Sequence, residues 1–124
     1  MTETTNKPPY TVAGYLARDH GLNGLQALLN SDRYSLVALF THRLLPKSED
    51  PQRSERPEFT SYQQLCQQHD VPLWSIDRSK EVDQVGTVLA GLEIDLNVSI
   101  SWRFLIPKEH LSLATIGGVN LHRG

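Results

Sequence analysis

Tyr34-Ser35-Leu36-Val37-Ala38-Leu39-Phe40-Thr41 is a short apolar run bounded by polar residues. A run of this kind reads as a parallel strand covered on both faces. Parallel neighbours need crossovers, so the segments on either side should hold helices. Upstream, residues 10–16 read as a first strand. Residues 21–31 read as a helix, with Leu22, Leu25, Leu28 and Leu29 on one 3.6-period face. Gly21 and Gly24 read as turn and cap glycines at the N-terminus of that helix rather than as an anion cradle. Downstream, residues 42–58 carry three prolines and eight charged residues of balanced sign, which predicts a solvated surface loop.

The alternation continues to the C-terminus. Residues 59–69 read as a helix with Phe59, Tyr62, Leu65 and Cys66 as its apolar stripe, which puts Cys66 in the core. Residues 71–76 read as a strand entered through proline, and residues 81–92 as a helix with Val82, Val85, Val88, Leu89 and Leu92 inward. Residues 94–102 alternate strictly. Ile94, Leu96, Val98, Ile100 and Trp102 share one face, and Asp95, Asn97, Ser99 and Ser101 share the other. A half-polar face is unusual for a central parallel strand. Residues 107–113 read as a short helix with proline in its first turn, and residues 116–122 as a fifth strand. Strand, helix, strand, helix, strand, helix, strand predicts an open α/β sheet. Residues 1–9 read as a disordered leader, and 10–124 as one domain.

Composition bounds the function. A chain of 124 residues makes one domain, and 39% hydrophobic with 21% charged residues is globular composition. A net charge of −2 provides no basic field for DNA. No apolar stretch is long enough for a membrane span, and the N-terminus has no signal-peptide core. The single cysteine excludes an internal disulfide and a multi-cysteine zinc cage. A cytoplasmic protein is expected. The five histidines sit at no metal-ligand spacing, so no metal is expected. There is no G-x-G-x-x-G, no P-loop and no G-x-S-x-G.

Chemistry concentrates at the end of the chain. Asn120-Leu121-His122 closes the fifth strand, and residues two apart in a strand project to the same side. An amide and an imidazole so placed can stabilise an oxyanion and move a proton. The carboxyl end of a parallel strand is where open α/β sheets place their sites.

The stretch DLNVSISWRFLIPKEHLSLATIGGVNLHRG, residues 95–124, resembles the 10-formyltetrahydrofolate-dependent formyltransferases. The specific part is Asn120-Leu121-His122 with Arg103-Phe104-Leu105-Ile106-Pro107 upstream. More generic matches are Gly24-Leu25-Gln26-Ala27-Leu28-Leu29, Val37-Ala38-Leu39-Phe40-Thr41 and His69-Asp70-Val71-Pro72-Leu73. The resemblance implies the N-terminal, Rossmann-like domain of such an enzyme, an α/β open sheet incomplete at its C-terminal side. It implies 10-formyltetrahydrofolate as formyl donor and a primary amine as acceptor. Asn120 and His122 match the family's catalytic asparagine and histidine, and Arg103, Phe104 and Leu105 match the loop that lines the folate pocket. The family's third catalytic residue, an aspartate, has no counterpart before Gly124. Similarity around residues 19–24, 39–42 and 102–106 favours a sugar-nucleotide amine over methionyl-tRNA as acceptor. A rival reading makes the chain a truncated, non-catalytic domain, a gene relic or a module that binds a partner or a second copy through its open sheet edge.

Overall fold

A computed structural model describes residues 8–121. Strand β1 (Tyr10–Leu16) runs through the middle of a five-stranded, all-parallel sheet, with helix α1 (Arg18–Leu29) crossing to β2 (Tyr34–Thr41). Helix α2 (Phe59–Gln68) leads to β3 (Leu73–Ser75), and a 3₁₀ turn (Ser79–Glu81) enters α3 (Val82–Ala90). Strand β4 (Ile94–Ile100), the short α4 (Lys108–Leu111) and β5 (Ala114–Leu121) complete the described elements. The sheet order is β3-β2-β1-β4-β5. The chain winds outward from β1 to β3, then returns to the other side of β1 with β4. That reversal opens a crevice beyond the carboxyl ends of β1 and β4, the place where such sheets bind ligands. This is the Rossmann-like α/β arrangement the sequence predicts.

Each face of the sheet carries its own apolar layer, which explains the near-continuous apolar strands. Val12 and Leu16 of β1 pack with Leu25, Leu36, Leu39, Tyr62, Cys66 and Ile100 on the α1/α2 side. Ala13 and Tyr15 pack with Ala38, Phe40, Ile76, Val85, Leu89 and Ile94 on the α3 side. Leu16, Leu25 and Leu39 are fully buried, each contributing roughly 1.5–3 kcal/mol relative to exposure. Cys66 is buried as expected, and burial pushes its thiol up to about 11, so it stays protonated and inert.

Three local expectations are corrected. Gly21 and Gly24 lie inside α1, three residues or more past its start, and make no turn. A Cβ at Gly21 would lie 2.9 Å from the Leu16 carbonyl carbon and 2.5 Å from the Tyr62 hydroxyl. One at Gly24 would meet the Ile100 side chain, so both glycines let α1 press onto β1 and β4. Second, the alternation of β4 breaks at a register shift between Ile94 and Leu96. Ile94 joins the α3-side layer, with Trp102 packed against it, while Leu96, Val98 and Ile100 face α1. The small polar residues opposite them are buried: Asn97 is 2% and Ser99 4% exposed.

Third, residues 42–58 form an anchored excursion rather than a plain solvated loop. Leu44 and Glu55 pair in an antiparallel bridge, and Arg56 N–H donates to the Arg43 carbonyl at 2.8 Å. The Asp77 carboxylate accepts from the Arg43 and Leu44 backbone at 2.9 and 2.8 Å. Arg53 donates to the Asp77 carbonyl, and the buried Arg56 donates to Glu58 at 2.7 Å. Local spacing cannot reveal such long-range anchors.

Among the described residues β5 is a sheet edge, with Ile116, Val119 and Leu121 about half exposed. No described helix is long and apolar enough to cross a membrane. Residues 1–7 of the expected leader and His122 at the end of the expected fifth strand lie outside the described residues.

Candidate active site

Two cavities flank the segment that follows β4, and Trp102 borders both. The larger, about 700 Å³, occupies the crevice beyond β1, β2 and β4. Arg18, Asp19 and His20 line it from the start of α1, Glu49 and Arg56 from the anchored excursion, and Arg103 from beyond β4. Its two sides are joined by an ion pair, Arg18 to Glu49 at 2.9 Å. Arg18 and Ser101 take left-handed backbone angles, with φ of +61° and +57°. Non-glycine residues in that region are uncommon, and these two sit where the central strands end at the cavity. The Tyr62 hydroxyl donates to the Arg18 carbonyl at 2.7 Å and holds that turn.

His42, just past β2, ties the cavity wall together. Arg103 backbone N–H donates to His42 Nε2 at 3.0 Å, so Nε2 carries the lone pair. Nδ1–H then donates to the Ile76 carbonyl at 2.5 Å. The Arg103 contact requires the neutral ring, because a protonated Nε2 could not accept. Burial is the main cause that pushes its pKa down to about 3, and the charges of Arg103, Arg56 and Arg18 act in the same direction. The ring stacks on Trp102 with centroids 4.2 Å apart and meets Phe104 edge-on at 5.5 Å. The Arg103 guanidinium donates to the Leu44 carbonyl at 2.8 Å, and burial lowers its pKa.

The smaller cavity, about 390 Å³, runs between the segment after β4 and the β4–β5 ladder. Phe104, Leu105 and Ile106 form one wall, and Gly117, Gly118 and Asn120 the other. Gly117 has φ of +147°, a conformation that favours glycine. Asn120 stands opposite Ser99 in the register, and the Ser99 hydroxyl donates to Asn120 Oδ1 at 2.7 Å. That bond consumes the acceptor side of the amide and leaves its N–H₂ to donate elsewhere.

Of the sequence-predicted residues, Phe104, Leu105 and Asn120 meet on this cavity. Arg103 lines the larger cavity instead, and His122 lies outside the described residues. Ser99 and His42 were missed. The unusual polar face of β4 was the signal for Ser99. His42 had none, because its partners Arg103 and Ile76 are distant in sequence. Among the described residues no three His, Cys, Asp or Glu side chains gather as a metal site would require.

The chain is 31% identical over 104 residues to a methionyl-tRNA formyltransferase of Magnetococcus marinus. The chain is related to the formyltransferases. The similarity takes in 84% of the chain, and the chain spans about a third (31%) of that relative's length. No protein-family model matches the chain. Relation to a formyltransferase fits an arrangement in which an oriented asparagine amide stands on an apolar slot beside a polar crevice.

Proposed function

We propose that the chain supplies the donor-binding part of an N-formyltransferase that moves the formyl group of 10-formyltetrahydrofolate to a primary amine. The observation that carries the proposal is Asn120. Its amide is turned by Ser99, and it lies on an apolar cavity of about 390 Å³ that also holds Phe104 and Leu105. That volume falls in the range of small-molecule sites. Gly117 and Gly118 leave one wall without side chains, and Trp102 and Phe104 offer aromatic surface to a flat ring. These features fit a folate ring system, which would bring the formyl carbon on its nitrogen.

The chain's own residues then have separable tasks. The Asn120 amide N–H₂ donates to the carbonyl oxygen as negative charge develops there during amine attack. The carbon–nitrogen bond to the acceptor forms, the bond to the donor nitrogen breaks, and a proton leaves the amine. His122 is proposed to move that proton on the strength of the Asn-x-His motif. Arg103 remains a proposed donor-site residue through its backbone, which His42 holds in place. The polar cavity is proposed to seat the acceptor. Arg18, Arg56 and Arg103 on its wall favour an acceptor with phosphate groups. A sugar-nucleotide amine is the proposed acceptor, with methionyl-tRNA second. The protein is proposed to work in the cytoplasm.

The test is formyl transfer from 10-formyltetrahydrofolate with both acceptors in parallel, wild type against Asn120→Ala. Loss of one oxyanion donor is expected to lower turnover about a hundredfold or more. Normal turnover by the variant would contradict the role of Asn120, and failure of the wild-type chain to bind 5-formyltetrahydrofolate would contradict the donor-binding function.

A further inference from the structure

The polar crevice holds a carboxylate of the protein's own where an anion would sit. Helix α1 starts on that crevice, and its N-cap residue, Ala17, makes no side-chain cap. The start of a helix favours negative charge. Arg18 stands at the same place, and its guanidinium donates across the crevice to the Glu49 carboxylate at 2.9 Å. A phosphate group would take the same arginine and the same helix end.

The two sides of this contact differ in how firmly they are held. Arg18 belongs to α1, and its carbonyl accepts from the buried Tyr62 hydroxyl at 2.7 Å. Glu49 sits on the tip of the excursion. The base of the excursion is pinned: Leu45 N–H donates to the Ser54 carbonyl at 2.9 Å, Leu44 pairs with Glu55, and Asp77 and Arg103 hold the Arg43 and Leu44 backbone. Residues 46–52 make the tip, which is bonded onto itself. Glu49 and Asp50 N–H both donate to the Pro46 carbonyl, and the Asp50 carboxylate accepts from Gln52 and Ser54 N–H at 3.0 and 3.1 Å. The tip can therefore turn as a unit on the pinned base. Its tie to α1 is solvated, with the Arg18 and Glu49 side chains 52% and 41% exposed, and an exposed ion pair opens at small cost.

We propose that Glu49 is a built-in occupant of the anion position in the crevice, and that residues 46–52 form a clasp that an incoming phosphate group displaces. The inference rests on the reading of the crevice as the seat of a phosphate-bearing acceptor, and it adds the contact that keeps the crevice closed until that acceptor arrives. A phosphate group competes well for Arg18, because it carries at least the charge of the carboxylate and offers more acceptor oxygens to the guanidinium fork.

The test titrates the full chain with inorganic pyrophosphate by calorimetry and follows the wild type in amide NMR spectra. Glu49→Gln removes the competing charge and is expected to bind about two- to fivefold more tightly than wild type, the worth of an exposed ion pair. Glu55→Gln removes the same charge from the pinned base, where Glu55 faces Arg43 rather than the crevice, and is expected to bind as wild type does. In wild type, pyrophosphate is expected to shift residues 47–50 and to leave 43–45 and 54–56 little changed. Equal or weaker binding by Glu49→Gln would overturn the clasp and keep the crevice as an anion site. An equal gain in Glu55→Gln would also overturn it, because the effect would then be general charge. A gain in Glu49→Gln without shifts at 47–50 would overturn the movement of the tip. Failure of all three proteins to bind pyrophosphate would overturn both the clasp and the acceptor reading of the crevice.

Discussion

Strands β1 and β5 have similar sequences and opposite duties. YTVAGYL is buried at five of its seven positions, while ATIGGVNL has six of its eight residues exposed to solvent. Both are short, apolar and interrupted by glycine, so composition does not separate them. Position in the sheet does. β1 is paired on both sides and covered on both faces, whereas β5 is paired only with β4 among the described residues. The centre therefore carries stability, and the edge carries the groups that can reach a ligand.

Substitutions should divide along the same line. Leu16→Ala, at a fully buried position of β1, is expected to cost roughly 2–5 kcal/mol in urea unfolding. Val119→Ala, at a half-exposed position of β5, is expected to stay within about 0.5 kcal/mol in the same measurement. Equal losses would remove the distinction. Gly21→Ala is expected to cost roughly 1–3 kcal/mol, because the new Cβ meets the backbone of Leu16 as well as the Tyr62 hydroxyl, and the backbone cannot swing aside.

The next prediction concerns pH and sharpens the role of the central strands' carboxyl ends. His42 is held neutral, with a folded pKa of about 3 against an ordinary 6.5. The unfolded chain binds the proton more readily between those values. The stability contributed by the neutral ring is therefore complete above pH 6.5 and is lost as pH falls towards 3. His42→Gln should flatten that part of the stability profile, and an unchanged profile would contradict the neutral clamp.

The smallest effect belongs to the amino ends of the strands. The Asp95 carboxylate accepts from Thr11 N–H at 3.0 Å and from the Thr115 hydroxyl at 3.0 Å, linking β1, β4 and β5. The Thr11 backbone bond is the main cause that holds its pKa below the usual carboxylate range. Its contribution is present above that range and fades as pH drops through the lowered value. Asp95→Asn should remove only this weak acid-side slope in thermal melts.

The elements were largely legible in the sequence. β1 and β2 fall where the apolar runs end, because strands buried on both faces leave an unmistakable pattern. The site was legible in part. Phe104, Leu105 and Asn120 came from a motif, and the structure brings them onto one cavity. What periodicity could not supply were features made by distant partners. Gly21 looked like a turn residue, but its reason is Leu16 and Tyr62. Residues 42–58 looked solvated, but Asp77 anchors them. The polar residues of β4 looked merely odd, until pairing placed Ser99 on Asn120 and Asn97 beside Gly118.

The most direct test of the proposed donor site is a titration of the isotope-labelled chain with 5-formyltetrahydrofolate, followed residue by residue in amide NMR spectra. Binding is expected to shift Phe104, Leu105 and residues 117–120, with β1 core amides such as Val12 and Ala13 little changed. Absence of shifts, or shifts confined to residues away from the apolar cavity, would contradict the account.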